Sequence, residues 1–291
     1  MLKQLGAGAS SIVFAAYDRQ LRRGIALKLL APGSVLQGLR EAKAMASVSH
    51  PNVVKVYDTG TICDAAYLTM ELVRGTTLRE WAKSPRSASE IVWTMTQAGR
   101  GLAAAHAAGI LHRDFKPANV LVDHHGAVKV ADFGVAGAAR REVTGSRTGT
   151  EPYMSPEEAM GGTVDARSDQ FSFCATLYEL LAGAPLFPSG TAADIPECGV
   201  ELLLRRLRAT VGDRLWRVLA RGLAYDPDAR YLSMDQLLGD LERALLLPLP
   251  ADEAAIERAA TAPTAIEVDP ADADTVVDDT FVLDLDLGLR G

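Results

Sequence analysis

The chain opens with short apolar, β-branched runs. Residues 11–17 (SIVFAAY) and 24–30 (GIALKLL) are divided by the polar stretch DRQLRR, a pattern that predicts two strands of a hairpin. Ser34 and Gln37 then form a capping-box pair ahead of Val35, Leu36, Leu39, Ala42 and Met45, whose spacing predicts one apolar face of a helix. HPNVV, from His50, begins an extended region, and residues 66–73 (AYLTMELV) predict a further strand.

Beyond about residue 75 the pattern becomes mainly helical. Ser87 and Glu90 make a second capping box, and Ile91, Met95, Ala98, Leu102 and Ala105 recur at intervals of four and three, which defines a long amphipathic helix. Two short strands are predicted at 119–122 and 127–131, turned by DHHG. Ser168 is expected to cap FSFCATLYELL, a helix apolar on nearly all sides and therefore central and buried. Helices resume near 200–223 and 233–246. The plan is α+β: a small strand-rich lobe joined near residue 74 to a larger helical lobe, with no internal repeat.

Composition narrows the class. With 291 residues and 48% hydrophobic content, the chain is neither disordered nor a small disulfide-stapled scaffold. Its net charge of −7 is unevenly spread, because residues 251–291 hold 11 acidic side chains against 2 arginines. The body is nearly neutral, so nothing in it favours broad nucleic-acid binding. From Pro248 onward Ala, Asp, Pro and Thr alternate with few aromatics, which predicts an acidic, disordered tail over 248–291. Cys63, Cys174 and Cys198 lie far apart with no CxxC pair, which points to a reducing cytoplasm. No apolar run is long enough to span a bilayer, so no membrane partner is expected. The three tryptophans, Trp81, Trp93 and Trp216, are expected as core or helix-packing groups rather than as stacking platforms for a ligand, and His124 and His125 in a solvent-facing turn.

The chemistry gathers in a few short segments. LGAGASSIV, residues 5–13, places Gly6 and Gly8 between strand-like runs, where backbone amides can approach an anion without a Cβ in the way; taken alone, it also reads as a glycine turn. Lys28 stands among apolar strand residues and needs a partner if buried. Glu41, one helical turn before Met45, is the candidate. HRDFKPAN, residues 112–119, packs an imidazole, a guanidinium, a carboxylate, an ammonium and an amide into a stretch where Pro117 forbids helix. Asp132 follows in ADFG, and with Asn119 it offers the hard oxygen ligands that Mg²⁺ takes when nucleotide phosphates complete its shell.

Taken in order, a glycine loop, strand lysine, helix glutamate, HRD loop and DFG resemble the eukaryotic-type Ser/Thr protein kinases, a family well represented in bacteria. The resemblance covers residues 1–246 and implies a two-lobed fold, with an N-lobe over 1–73 and a C-lobe over 74–247. It implies ATP and Mg²⁺ as cofactors and a protein substrate. Gly6 and Gly8 would cover the phosphates, although Ser11 replaces the third glycine of the family, and Leu5 would join the nucleotide contacts. Val13, Ala26 and Leu121 would sandwich the adenine, Met70 would be the gatekeeper, and the backbone of Glu71 and Val73 would bind the base. Lys28, oriented by Glu41, would hold the α- and β-phosphates. Asp114 would be the base, Lys116 would neutralise the transferring phosphoryl group, and Asn119 and Asp132 would hold the metal.

Further positions follow from the same resemblance. Residues 132–157 would form an activation segment, Glu157 of SPE would pair with Arg230, and Asp169 would brace the HRD loop. Thr150 would contact the catalytic aspartate. Arg113 implies control by phosphorylation at Thr144, Ser146 or Thr148. Thr275 and Thr280 of the tail could dock a phosphothreonine-reading forkhead-associated domain once phosphorylated. A pseudokinase-like binding module is the alternative, though Lys28, Asp114 and Asp132 are all present. Because the chain starts a few residues before the glycine loop, the first strand is expected to be short, and the native start could lie upstream of Met1.

Overall fold

A computed structural model of the protein describes residues 3–8, 11–30, 45–62, 65–133, 151–188, 190–194 and 197–245. The apolar runs near the amino end form β1 (Lys3–Gly8), β2 (Ser11–Asp18), β3 (Arg23–Leu30), β4 (Val56–Ile62) and β5 (Ala65–Glu71). They make one antiparallel sheet in the order β1-β2-β3-β5-β4. The hairpin between β2 and β3 closes where the Asp18 carboxylate accepts the N–H groups of Gln20 and Leu21, at 3.0 and 2.9 Å. Along β3 the two-residue period puts Ala26, Lys28 and Leu30 on one buried face. Register then sets Lys28 between Val13 and Leu68, and Ala26 beside Met70.

A second sheet follows from β6 (Gly75–Thr77), β7 (Val120–Asp123) and β8 (Val128–Val130). Gly75 is required there, since a Cβ would lie 2.0 Å from the Val122 carbonyl oxygen. Sequence patterning missed β6, because three residues are too few to display a period. The segment before β4 ties the two sheets together: Val54 N–H donates to Val130 O and Val130 N–H to Asn52 O, both at 2.9 Å.

The helical part comprises α1 (Leu78–Trp81), α2 (Ala88–Ala107), α3 (Pro156–Ala159), α4 (Ala166–Ala182), α5 (Glu197–Gly222, broken at Gly212 with φ 77°) and α6 (Met234–Leu245). Both bonds of the expected capping box start α2: Ser87 Oγ accepts Glu90 N–H at 3.2 Å, and the Glu90 carboxylate accepts Ser87 N–H at 2.8 Å. Buried side chains run without a break from Ser168 to Tyr178, so α4 is central as its all-round apolar pattern requires. Cys174 is fully buried there, and a Cβ on Gly222 of α5 would come 2.3 Å from its sulfur.

Two expectations fail. Ser168 does not cap α4. Asp165 does, its carboxylate accepting the Arg167 N–H at 2.7 Å, and Ser168 lies one turn inside, donating to Glu157 Oε1 at 2.6 Å. Trp93 is not core: it is 57% exposed, because it stands two residues from both Ile91 and Met95 and so on the opposite side of α2. Trp81 and Trp216 do pack against the core, each under an arginine, Arg86 at 4.4 Å and Arg208 at 4.8 Å from the ring centre. His124 and His125 are exposed, as expected. The helix expected after Ser34 and the tail over 248–291 lie outside the described residues.

Candidate active site

The HRD loop hangs between α2 and β7 and is fixed from below by one carboxylate. Asp169 of α4, buried, accepts the backbone N–H of His112 and of Arg113, each at 2.8 Å, and its Oδ2 is 2.7 Å from His106 Nε2 on α2. These contacts hold Arg113 in a left-handed conformation, φ 61°, that a non-glycine residue adopts only under constraint. Burial pushes the Asp169 carboxyl up, but the His106 hydrogen bond and charge outweigh it, and its pKa is below the usual aspartate value. His106 went unread in the sequence; its signal was a position one turn after Leu102, on the buried side of α2.

His112 is fully buried and spans the HRD and DFG segments. Its Nδ1 accepts the Asp114 N–H at 3.2 Å, so Nε2 carries the hydrogen and donates to Ala131 O at 2.9 Å. Burial lowers its pKa, and the nearby Asp169 and Asp114 do not compensate; the ring is neutral. Phe133 packs against it, ring centres 4.6 Å apart and planes tilted by 45°.

Above this floor the charged groups converge. Lys116 Nζ lies 2.8 Å from Asp114 Oδ2. Asn119 Nδ2 donates to Asp114 O at 2.8 Å and to Asp114 Oδ2 at 3.1 Å, which leaves the Asn119 carbonyl oxygen as the end available to a cation. Across from them Lys28, brought from a strand 104 residues away, donates to Asp132 Oδ1 at 2.6 Å. Asp132 takes φ 59°, and although burial raises its pKa, the Lys28 charge and hydrogen bond bring it below the ordinary value. Among the described residues no three metal-ligating side chains cluster. The Asp132 carboxylate and the Asn119 side-chain carbonyl are the oxygen donors here that could hold an ion whose shell is completed by phosphate and water.

An apolar shelf covers one side. Val13, Ala26, Met70, Val73 and Leu121 belong to a single cluster, joined by Ala131 immediately before Asp132. Met70 also lines a small, partly open cavity of about 30 Å³ that reaches Lys28 and Asp132. Glu71 N–H already donates to Lys55 O at 2.9 Å, so what this residue offers a base is its carbonyl. Leu5 is the expected contact that stands apart, exposed on β1 rather than packed on the shelf. Gly6 and Gly8 fall in β1, Gly8 opposite Ser11, and a Cβ on Gly6 would meet nothing within 4 Å. Glu41, Thr144, Ser146, Thr148 and Thr150 lie outside the described residues.

Farther down, Arg230 and Glu157 pair through two bonds of 2.8 Å, as their motifs imply. Arg230 also donates to the carbonyls of Ala224, Arg167 and Tyr225. A second junction went unread: Tyr153 donates a short hydrogen bond to Glu179 of α4 and receives one from Arg79 at 3.2 Å.

A five-stranded sheet facing a helical body, with a lysine–aspartate pair across from an HRD loop, defines the protein kinase fold. The family model described as protein kinase domain matches residues 1–239, and the chain belongs to that family. It is 38% identical over 262 residues to the serine/threonine-protein kinase PknB of Mycolicibacterium smegmatis, covering 82% of this chain and 41% of that protein. Identity to the serine/threonine-protein kinase PrkC of Bacillus subtilis is 33% over 258 residues, covering 84% and 40%. The chain thus spans about two fifths of the length of these curated relatives. Among solved structures, the Mycobacterium tuberculosis PknI kinase domain, crystallised with a cysteine-to-alanine change, superposes with a TM-score of 0.68 at 28% identity, covering 84% of this chain and 94% of that one. No helix among the described residues is long and apolar enough to cross a membrane.

Proposed function

We propose that the protein transfers the γ-phosphoryl group of ATP to serine or threonine hydroxyls of protein substrates. The observation that carries this reading is the meeting of Lys28–Asp132 with Asp114, Lys116 and Asn119 beneath one apolar shelf. In this reading the adenine lies against Val13, Ala26, Met70 and Leu121, with the backbone of Glu71 and Val73 at its edge, Gly6 and Gly8 over the phosphates and Leu5 among the nucleotide contacts. Lys28 leaves Asp132 to hold the α- and β-phosphates, with Glu41 orienting it. Asn119 and Asp132 hold a magnesium ion, which supplies neutralising charge for the phosphate oxygens.

Asp114 accepts the acceptor hydroxyl proton as the new P–O bond forms. Its contact with Lys116 keeps a cation beside the transferring group, where negative charge spreads in the transition state. A neutral His112 suits this role, because its N–H fixes Ala131 and its Nδ1 fixes the Asp114 backbone without adding charge. The intact set Lys28, Asp114 and Asp132 speaks against a pseudokinase.

Phosphorylation at Thr144, Ser146 or Thr148 belongs to the same proposal, with Arg113 as the partner of the new phosphate. So do a cytoplasmic place of action and the reading of phosphorylated Thr275 or Thr280 by a forkhead-associated domain. The experiment is incubation with labelled ATP and Mg²⁺ of the wild type beside Asp114→Asn and Lys28→Met. Loss of a general base lowers the rate by about 10²- to 10⁴-fold, so Asp114→Asn should fall far below wild type, and Lys28→Met, which removes the cation that holds the phosphates, should fall with it. Equal labelling in all three would refute the assignment.

A further inference from the structure

The sheet order leaves β1 as an edge strand, paired with β2 on one side only among the described residues. Every side chain from Lys3 to Ala7 is exposed. Of the seven large apolar side chains exposed among the described residues, four belong to β1, β2 and the turn after it: Leu5 (51%), Ile12 (40%), Tyr17 (58%) and Leu21 (63%), with Ile12 and Tyr17 on opposite faces of β2. This end of the sheet is basic, since Lys3 pairs across from Ala15 and the adjoining turn carries exposed Arg19 and Arg22. An exposed edge with unpaired backbone groups is a template for another strand, and proteins as a rule cover or disrupt it.

The chain's own sequence contains a matching strand. In FVLDLDLGL, residues 281–289, Leu283, Leu285, Leu287 and Leu289 alternate with Asp284, Asp286 and Gly288, a two-residue period that the Ala-, Pro- and Thr-rich residues before it lack. We propose that residues 281–289 add to the free edge of β1 as a sixth strand, packing their leucines on Leu5 and its neighbours and presenting their aspartates to the basic end of the sheet. Main-chain hydrogen bonds supply affinity in this mode, and alternate side chains select the face. Charge favours this edge: Lys3, Arg19 and Arg22 outnumber Asp18 here, whereas at β4, the opposite edge, Asp58 offsets Lys55.

Thirty-five residues separate Leu245, the end of α6, from Phe281. A coil of that length would span about 30–35 Å, close to the width of a small domain, which corresponds to roughly millimolar effective concentration. This favours the chain's own tail over that of a second copy.

Strand pairing is independent of the kinase reading; its effect on nucleotide rests on that reading, because β1 carries Gly6 and Gly8. The test is amide hydrogen exchange of the full chain, a chain ending at Asp279, and a Leu285→Pro variant, which lacks one strand donor. The expected result is at least about tenfold slower exchange across Lys3–Gly8 in the full chain alone, restored to the shortened chain by a peptide of residues 280–291. Equal exchange in all three overturns the proposal. So does protection that maps to β4, or that fades on dilution as a second copy's tail would require. Protection of β1 with an unchanged KM for ATP upholds the sixth strand and counts instead against the nucleotide role of the glycine loop.

Discussion

Arg230 and Glu157 illustrate how much one residue can fix. The guanidinium has no exposed surface, and its bonds reach a carboxylate and three backbone carbonyls. Burial pushes the Glu157 carboxyl up, but the bonds from Arg230 and Ser168 and the arginine charge hold its pKa below the usual glutamate value. Removing one partner strands the other in the interior, at a cost of about 3–5 kcal/mol. Arg230→Met should lower stability by that amount in denaturant titration, and Glu157→Leu combined with it should recover part of the loss. A double variant no better than the single one would mean that the stranded glutamate is not the source of the cost. Both residues were readable because SPE and DPDAR match motifs of the family that the sequence resembles. His106 was not, since one histidine on a helix face carries no composition signal and acquires meaning only when Asp169 arrives from another helix.

At the scale of elements, the long periodic runs declared themselves and the short or competing signals did not. The box at Ser87 and Glu90 and the face from Ile91 to Ala105 locate α2 almost to the residue. The start of α4 was misread because two polar side chains three positions apart can each cap, and Asp165 reaches a free helical N–H before Ser168 can. Helix contacts with loops are likewise invisible in patterning. Gly101 on α2 meets the Asn52 carbonyl so closely that a Cβ would stand 2.4 Å away. Gly101→Ala should therefore push α2 from the segment that joins the two sheets, despite alanine's better helix propensity. The expected outcome is a lower melting temperature by circular dichroism; an unchanged or higher one would show that the loop yields freely.

Across the whole molecule, buried titratable groups set the response to acid. His112 is kept neutral with its pKa below the ordinary 6.5, so the unfolded chain binds a proton that the fold refuses once pH drops past about that value. Stability is then lost as pH falls from there toward the folded pKa. Glu157 and Asp169 act in the same direction lower down, for their pKa values lie below the ordinary 4.5 and 3.8 and their contribution, present above those values, disappears on further acidification. Thermal unfolding should be flat above pH 7, decline gently below about 6.5, and steepen below about 4.5. A melting temperature that rises between pH 7 and 5.5 would contradict the buried neutral imidazole.

Cys174 of α4 gives the molecule a built-in clock. Burial drives its pKa up to about 12, and Gly222 of α5 closes over the sulfur. No alkylating reagent can reach that thiol while the two helices remain packed. With Cys63 and Cys198 changed to serine, maleimide labelling should therefore proceed at the speed with which the core comes apart, whatever the reagent concentration once it is in excess. Labelling that kept accelerating with added maleimide, in native buffer, would mean that a smaller breathing motion bares the sulfur.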